Sequence, residues 1–166
     1  LGVLYGLKHD AGEGGDDWMR TLWREAIADD WGEIAEARIV AALPTTPETW
    51  TAVDVRSPSL SLAYWKAVST YRLPDDVDPA VAVDRLTAAG RTRDAVAWLG
   101  NIIERKPDSD LLIRALHAAA GADEPLEDND ATMFSYYVGL IFGQLDQDPD
   151  VSEQAIVGLE WTYFQA

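Results

Sequence analysis

A hydroxyl or carboxylate residue directly followed by proline precedes three short apolar runs: Thr46-Pro47, Ser57-Pro58 and Asp78-Pro79. The side-chain oxygen of the first residue can accept a hydrogen bond from the free N–H groups of a helix first turn. Proline suits the next position because no intrahelical N–H is needed there. Apolar residues then recur with the period of a helix until a residue such as Gly90 ends the run. These start and stop signals predict a succession of short helices.

The same criteria assign helices along the rest of the chain, and no stretch has the alternating pattern of a strand. The predicted helical segments are 16–30, 31–43, 48–55, 59–73, 79–89, 92–106, 110–120, 130–145 and a last one that begins at Ser152 with Glu153 in its first turn. Ser109 is the predicted cap of the segment 110–120. The stretch GEGGD at 12–16 is predicted to be a flexible loop.

Turns of only a few residues require consecutive helices to pack as antiparallel neighbours. No fixed repeat length is found, so irregular pairs of the HEAT kind fit better than a tetratricopeptide or ankyrin period. We therefore predict an all-α fold of about eight helices, arranged as antiparallel hairpins in an irregular α-solenoid. A single domain is expected over 1–166, with N-terminal helices over 1–43 and a core over 44–164.

The composition excludes several classes of function. Net charge is −16, with 29 acidic against 13 basic residues, so a nucleic-acid partner is not expected. The chain has no cysteine, and its apolar runs are too short to span a bilayer, so a cytoplasmic location is expected. The charge itself is compatible with a basic partner, with a saline solvent, or simply with a highly soluble surface.

No cofactor or metal is predicted. The stretch DQDPDVSE, which starts at Asp146, is similar to a calcium loop, but Val151 and Val157 stand where that loop requires glycine and a bidentate glutamate. His9 and His117 are the only histidines, and neither has a second histidine at ligand spacing. The carboxylate-rich stretch is therefore interpreted as an acidic turn.

One enzymatic alternative remains open. Glu153 and Glu160 are seven residues apart, which is two turns and about 10 Å along one helix face, and paired carboxylates at about 5 to 10 Å serve glycosidases. A carboxylate-dependent hydrolase on an α/α scaffold is therefore the alternative hypothesis. Glu153 is also favoured electrostatically in a helix first turn, and the seven Trp are spread over many helices as core residues are.

The stretches LPTTPETW, AYWKAV, VAVDRLTAAGRTRDAVAWL and DPDVSEQAIVGLEWTYF follow one another between Leu43 and Phe164. In this order they resemble the α-helical repeat region, HEAT-like or tetratricopeptide-like, of large and mostly uncharacterised bacterial multidomain proteins. The resemblance implies a region that accompanies a separate catalytic or ATP-binding domain, in some cases in phage defence. It implies sensing or scaffolding and supplies no catalytic residue.

We therefore predict a non-catalytic interaction, scaffold or sensing module of a larger bacterial protein. Its partner is expected to be another protein or an adjacent domain of the same chain, bound through the polar helix faces and acidic loops such as 122–130. Self-association through the apolar ends is a third hypothesis, because the chain begins at Leu1 and ends in an uncapped apolar run, as a fragment would.

The closing stretch IVGLEWTYFQA contains one acid, Glu160. A semi-buried carboxylate needs a partner, and arginine is the side chain best suited to pair with it. Arg91 and Arg93, beside the turn before Asp94, are the predicted partners, so that Glu160 would form a structural polar clasp between packed helices.

Overall fold

The computed structural model describes residues 2–10, 12–122 and 128–164. Within these residues the chain forms ten α-helices and no strand, which confirms the all-α prediction. The helices are α1 Gly2–Asp10, α2 Gly15–Ala28, α3 Glu33–Val40, α4 Pro47–Arg56, α5 Pro58–Ala67, α6 Pro79–Ala88, α7 Thr92–Asn101, α8 Ser109–Ala120, α9 Asp128–Leu145 and α10 Glu153–Phe164. None of these helices combines the length and apolarity that a membrane span requires. Residues 123–127, which belong to the predicted acidic loop 122–130, and residues 165–166 lie outside the described residues.

Four of the predicted helix starts are confirmed by capping hydrogen bonds. Side-chain oxygens of Thr46, Ser57, Asp78 and Ser152 accept backbone N–H donors of the following turn at 3.3, 3.2, 2.9 and 3.3 Å. Proline occupies the first position of α4, α5 and α6. These caps satisfy N–H groups that helix geometry leaves without intrahelical partners, which is why the start signals were readable in the sequence.

The connection between α7 and α8 differs from the prediction at both ends. The cap of α8 is Asp108, whose carboxylate accepts two first-turn amides at 3.0 and 3.3 Å, whereas Ser109 is the first helical residue. Helix α7 ends at Asn101, and a 3-10 turn follows in place of the predicted last turn. Lys106 follows that turn and adopts the left-handed conformation, at φ 52°, which changes the chain direction before Pro107.

The N-terminal glycine-rich stretch is not the flexible loop that the sequence suggested. Helix α1 lies within the region 1–43 where N-terminal helices were expected, although no segment before residue 16 was assigned; it runs to Asp10, and the 3-10 turn Gly12–Gly14 leads directly into α2. Gly12 has a positive φ of 60°, and Gly15 lies so close to the Lys8 carbonyl that a β-carbon would clash with it. The glycines therefore permit a tight turn and close packing of α1 on α2.

The described chain divides into two compact units, 1–77 and 78–166, where the sequence suggested a single domain with a division at residue 43. Unit 1 contains α1 to α5; α3 packs against α2 and α5, and α4 packs against α5. Its core is built from large buried side chains on these helices, including Met19, Val40, Leu60, Tyr64 and Trp65. The solenoid-like stacking of hairpins stays a prediction.

Unit 2 is organised around α7, which packs against α6, α8 and α9, while α10 packs against α8. Its buried side chains include Leu86, Leu99, Leu112, Leu116 and Ile141. On α8 the buried residues Leu112, Leu116 and Ala119 are four and three positions apart, which places them on one helix face. The core of unit 2 therefore follows the apolar periodicity predicted from the sequence.

Candidate functional site

The predicted clasp of Glu160 is not what the structure shows. Glu160 is exposed, and among the described residues it makes no ion pair. Arg91 instead pairs with Asp94, with its Nε 2.6 Å from Oδ2, and Arg93 donates to the Ala122 carbonyl at 3.5 Å. The physical reason is helical geometry: the buried residues Ile156 and Leu159 lie about 40° and 100° from residue 160 in the same direction around the helix axis, so Glu160 is at the edge of the stripe of α10 that faces the core.

Tyr163 makes a polar contact between α10 and α8 within unit 2. Its hydroxyl donates to the Leu116 carbonyl of α8, and its ring contacts Phe142 at a centroid distance of 6.3 Å. Burial raises the pKa of Tyr163 to about 12, so the phenol stays protonated and remains a donor at neutral pH. A neutral hydroxyl thus takes the place that the sequence analysis assigned to a carboxylate.

The two acids of the hydrolase hypothesis, Glu153 and Glu160, are both exposed on α10. Neither acid lines any of three cavities, which are formed by residues within 78–114, 103–149 and 8–72. Within the described residues no three His, Asp or Glu side chains are grouped as metal ligands. The structure therefore adds no observation in favour of the hydrolase hypothesis.

A carboxylate–guanidinium pair does occur in unit 1, at residues that the sequence analysis did not select. Glu36 of α3 is only 3% exposed and accepts two hydrogen bonds from Arg56 of α4, at 3.1 Å from Nε and 2.8 Å from Nη2. These bonds hold the pKa of Glu36 below its ordinary value of 4.5 against the opposing effect of burial. The indole of Trp23 lowers that pKa slightly further, although its N–H makes no hydrogen bond of good geometry.

The sequence contained a signal for this pair. Glu36 stands three and four residues before Ile39 and Val40, so a helical period places all three on one face. Both apolar residues are buried in the core of unit 1. An acid on the same stripe as two core residues is a better candidate for a buried pair than Glu160, which lies at the edge of its stripe.

Substitution Glu36→Gln is expected to lower the free energy of unfolding by about 1–2 kcal/mol at neutral pH, because a charged bidentate pair is lost while Arg56, 43% exposed, regains water. The folded-state pKa of Glu36 is depressed, so its contribution is complete above pH 4.5 and is lost as pH falls through the folded-state pKa. Urea unfolding of both proteins across this range tests it. A difference that stays constant into strong acid would contradict the assignment.

The largest of the three cavities is a groove in unit 2, about 740 Å³ in volume, which we call the α9 groove. One side is the turn and helix start between Ile103 and Ser109, and the other is the face of α9 that carries Gly139 and Gly143. The two sides are joined by a hydrogen bond from Gln144 Nε2 to the Pro107 carbonyl at 2.8 Å. A second bond, from the Ser109 hydroxyl to Asp148, joins them near the end of α9.

The glycine face leaves open space along α9. Gly139 and Gly143 are exposed, and a β-carbon on either would meet nothing within 4 Å. They are four residues apart and therefore lie one above the other on the same helix face. Met133 and Tyr136, large apolar residues of the same helix, are also exposed. Another backbone can thus approach this face of α9 more closely than it could approach a face covered by side chains.

The α9 groove is electronegative. Its lining contains three carboxylates, those of Glu104, Asp108 and Asp148, and one ammonium group, that of Lys106. The hydrogen bond from Ser109, and next the amide of Asp150 at 3.0 Å, hold the pKa of Asp148 below its ordinary value. Asp148 therefore remains an anion at neutral pH and favours a cationic group in the groove.

A smaller cavity of unit 2, about 440 Å³, lies at the starts of α6 and α8 beside Asp78 and Asp108. Both carboxylates already accept helix amides, and Arg114, which also lines it, pairs with Asp84 at 3.2 Å. Asp78 and Asp108 are thus engaged in capping, and Arg114 in a surface ion pair.

The comparisons with known proteins do not extend this description, since no family model, no curated protein and no solved structure matches the chain. The fold and the site define an all-α protein of two helical units with an electronegative groove in the second.

Proposed function

We propose that the chain is a non-catalytic interaction or scaffold module, in the cytoplasm, that binds a basic segment of a protein partner in the α9 groove. The single observation that carries the proposal is the groove itself, which combines open glycines with carboxylates. The partner is a separate protein or an adjacent domain of a longer chain. Binding of nucleic acid is not part of the proposal, because the net charge of −16 opposes it.

Size supports a peptide segment as the ligand. The volume of about 740 Å³ is within the range of sites that hold ligands of several hundred daltons, and the groove follows the last part of α9 from Gly139 and continues past its end to Gln147. Side chains from one face of a helix or an extended peptide can enter such a groove, while its backbone approaches the glycines.

Charge supports a basic ligand. Glu104 is exposed and has no ion-pair partner among the described residues, and Asp148 is held in the anionic form. An Arg or Lys of the partner would be attracted to both carboxylates. The negative electrostatic field of the whole chain would also increase the rate of association. Binding should accordingly weaken as the salt concentration rises.

The proposal predicts the outcome of a selection of short random peptides displayed on phage against the whole chain. The selected peptides should carry net positive charge, and Gly143→Leu should weaken their binding by about tenfold or more, because the new side chain fills the groove. Affinities are measured by fluorescence anisotropy of the synthesised peptides. Since Gly143 is an open helical position, leucine there also improves helix propensity and the variant should fold.

Gly158→Leu is the matched control, because Gly158 is an exposed glycine of α10 whose β-carbon would also meet nothing within 4 Å. Its peptide affinities should equal those of the unsubstituted chain. Equal weakening by both substitutions, or no weakening by either, would show that the peptides bind elsewhere. Selected peptides without excess positive charge would refute the electrostatic part of the proposal.

A further inference from the structure

Unit 1 contains a small polar cavity, about 260 Å³ in volume, which we call the Lys8 pocket. Helix α1 contributes Lys8, the connection after α3 contributes Thr45, helix α5 contributes Tyr64, and the segment after α5 contributes Ser69 and Arg72. The remaining lining residues are aliphatic. In a chain with net charge −16, this lining holds two cations and no carboxylate.

Lys8 is mostly removed from water and still has a free donor. Its side chain is 18% exposed, its Nζ lies 2.7 Å from Asp16 Oδ1, and the same nitrogen donates to the Ala42 carbonyl at 3.2 Å. An ammonium group has three N–H donors, and these two contacts use two of them. The third is available to a ligand, and Asp16 fixes the ammonium group in position.

Arg72 supplies the second cation. Its guanidinium makes no hydrogen bond or ion pair with any part of the chain that the structure describes, so its five N–H donors are available. The Ser69 hydroxyl is likewise uncommitted, and the Tyr64 hydroxyl donates to the Pro44 carbonyl at 3.0 Å. Burial raises the pKa of Tyr64, so this phenol adds no negative charge to the pocket.

We infer that the Lys8 pocket binds a small organic anion, with a carboxylate or phosphate group held between Arg72 and the free N–H of Lys8. Arginine is suited to such groups because its planar donors match two oxygens at once. The volume of about 260 Å³ fits a ligand of a few non-hydrogen atoms beyond the anionic group. This site is independent of the α9 groove, since it lies wholly within residues 8–72.

The inference is tested on the full chain by titration with sodium phosphate and, separately, with sodium succinate, both at constant ionic strength maintained with sodium chloride. Amide chemical shifts of residues Ser69 and Arg72 are followed by NMR. Saturable shifts with phosphate alone identify a phosphoryl ligand, and with succinate alone a carboxylate ligand; either supports the inference. Arg72→Gln should weaken the binding by about tenfold or more.

Arg38→Gln is the matched control, because Arg38 is an exposed arginine of α3 that does not line the pocket. It should leave the affinity unchanged. Arg72 is exposed, so its substitution is not expected to disturb folding, whereas Lys8→Met also removes the pair with Asp16 and serves as a second variant checked by circular dichroism. Shifts that do not saturate with either anion, or equal weakening by Arg38→Gln, would overturn the inference.

Discussion

Replacement of Trp65 by alanine is expected to lower the free energy of unfolding by about 3–5 kcal/mol, the range found for large aromatic residues in protein cores. Trp65 is 1% exposed and lies on α5 in the centre of unit 1. Its ring centroid is 5.7 Å from that of Trp50 on α4 and 5.7 Å from that of Tyr64, with an edge-on arrangement in the second pair. Alanine would remove both aromatic contacts and leave a cavity.

Urea unfolding followed by circular dichroism measures this change. Trp161→Ala is the control, because Trp161 is 64% exposed and its loss should alter the free energy of unfolding by no more than about 0.5 kcal/mol. The loss in the free energy of unfolding for Trp65→Phe should fall between those of the two alanine variants, since phenylalanine retains a ring. A loss below about 1 kcal/mol for Trp65→Ala would mean that the ring is not packed as the structure shows.

Local signals were sufficient to predict where several of the helices begin. The caps at Thr46, Ser57 and Asp78 depend on side chains adjacent in sequence to the amides they bind, so the sequence contains the whole interaction. Asp108 and Ser109 show the limit of this reasoning. Both are residue types that commonly cap helices, and only the backbone geometry shows that Asp108 is the cap of α8. The tight turn at 12–16 was missed because glycine signals both flexibility and close packing.

Contacts between distant residues could not be predicted in the same way. The Glu36–Arg56 pair and the Lys8 contact with Ala42 join residues 20 and 34 positions apart, and their formation depends on how helices pack. The periodicity of α3 does indicate that Glu36 faces the core, but it cannot select Arg56 among the arginines of the chain. The α9 groove is harder still to predict from the sequence, because its open space results from the lack of side chains at Gly139 and Gly143.

Gly100→Leu is expected to destabilise unit 2 by about 3 kcal/mol, the upper end of the usual range for overpacked cores. Gly100 is buried at the end of α7, where this helix packs against α9. A β-carbon there would lie 2.6 Å from Cβ and 3.0 Å from Cα of Tyr137. Real atoms do not approach so closely, and because one of the opposing atoms belongs to the backbone, the helices would have to separate.

Because the contact involves the backbone of Tyr137, the loss of stability caused by Gly100→Leu should persist in a variant that lacks the Tyr137 ring. Tyr137→Ala removes the ring but keeps Cβ and Cα, so Gly100→Leu should remain strongly destabilising when combined with it. Full recovery in the double variant would instead show that the ring alone limits the approach of α7 to α9. Urea unfolding measures all four proteins of the cycle, and Gly143→Leu, at an open position on α9, is the control expected to show no loss of stability.

The same substitution links helix packing to the proposed binding site. The α9 groove lies between the segment that follows Gly100 and the later half of α9, so separation of α7 from α9 changes the distance between its two sides. Gly100→Leu should therefore also weaken the binding of the selected basic peptides, measured by anisotropy under conditions in which the variant is folded. Anion binding at Arg72 should be unaffected, because that pocket is built wholly from residues of unit 1.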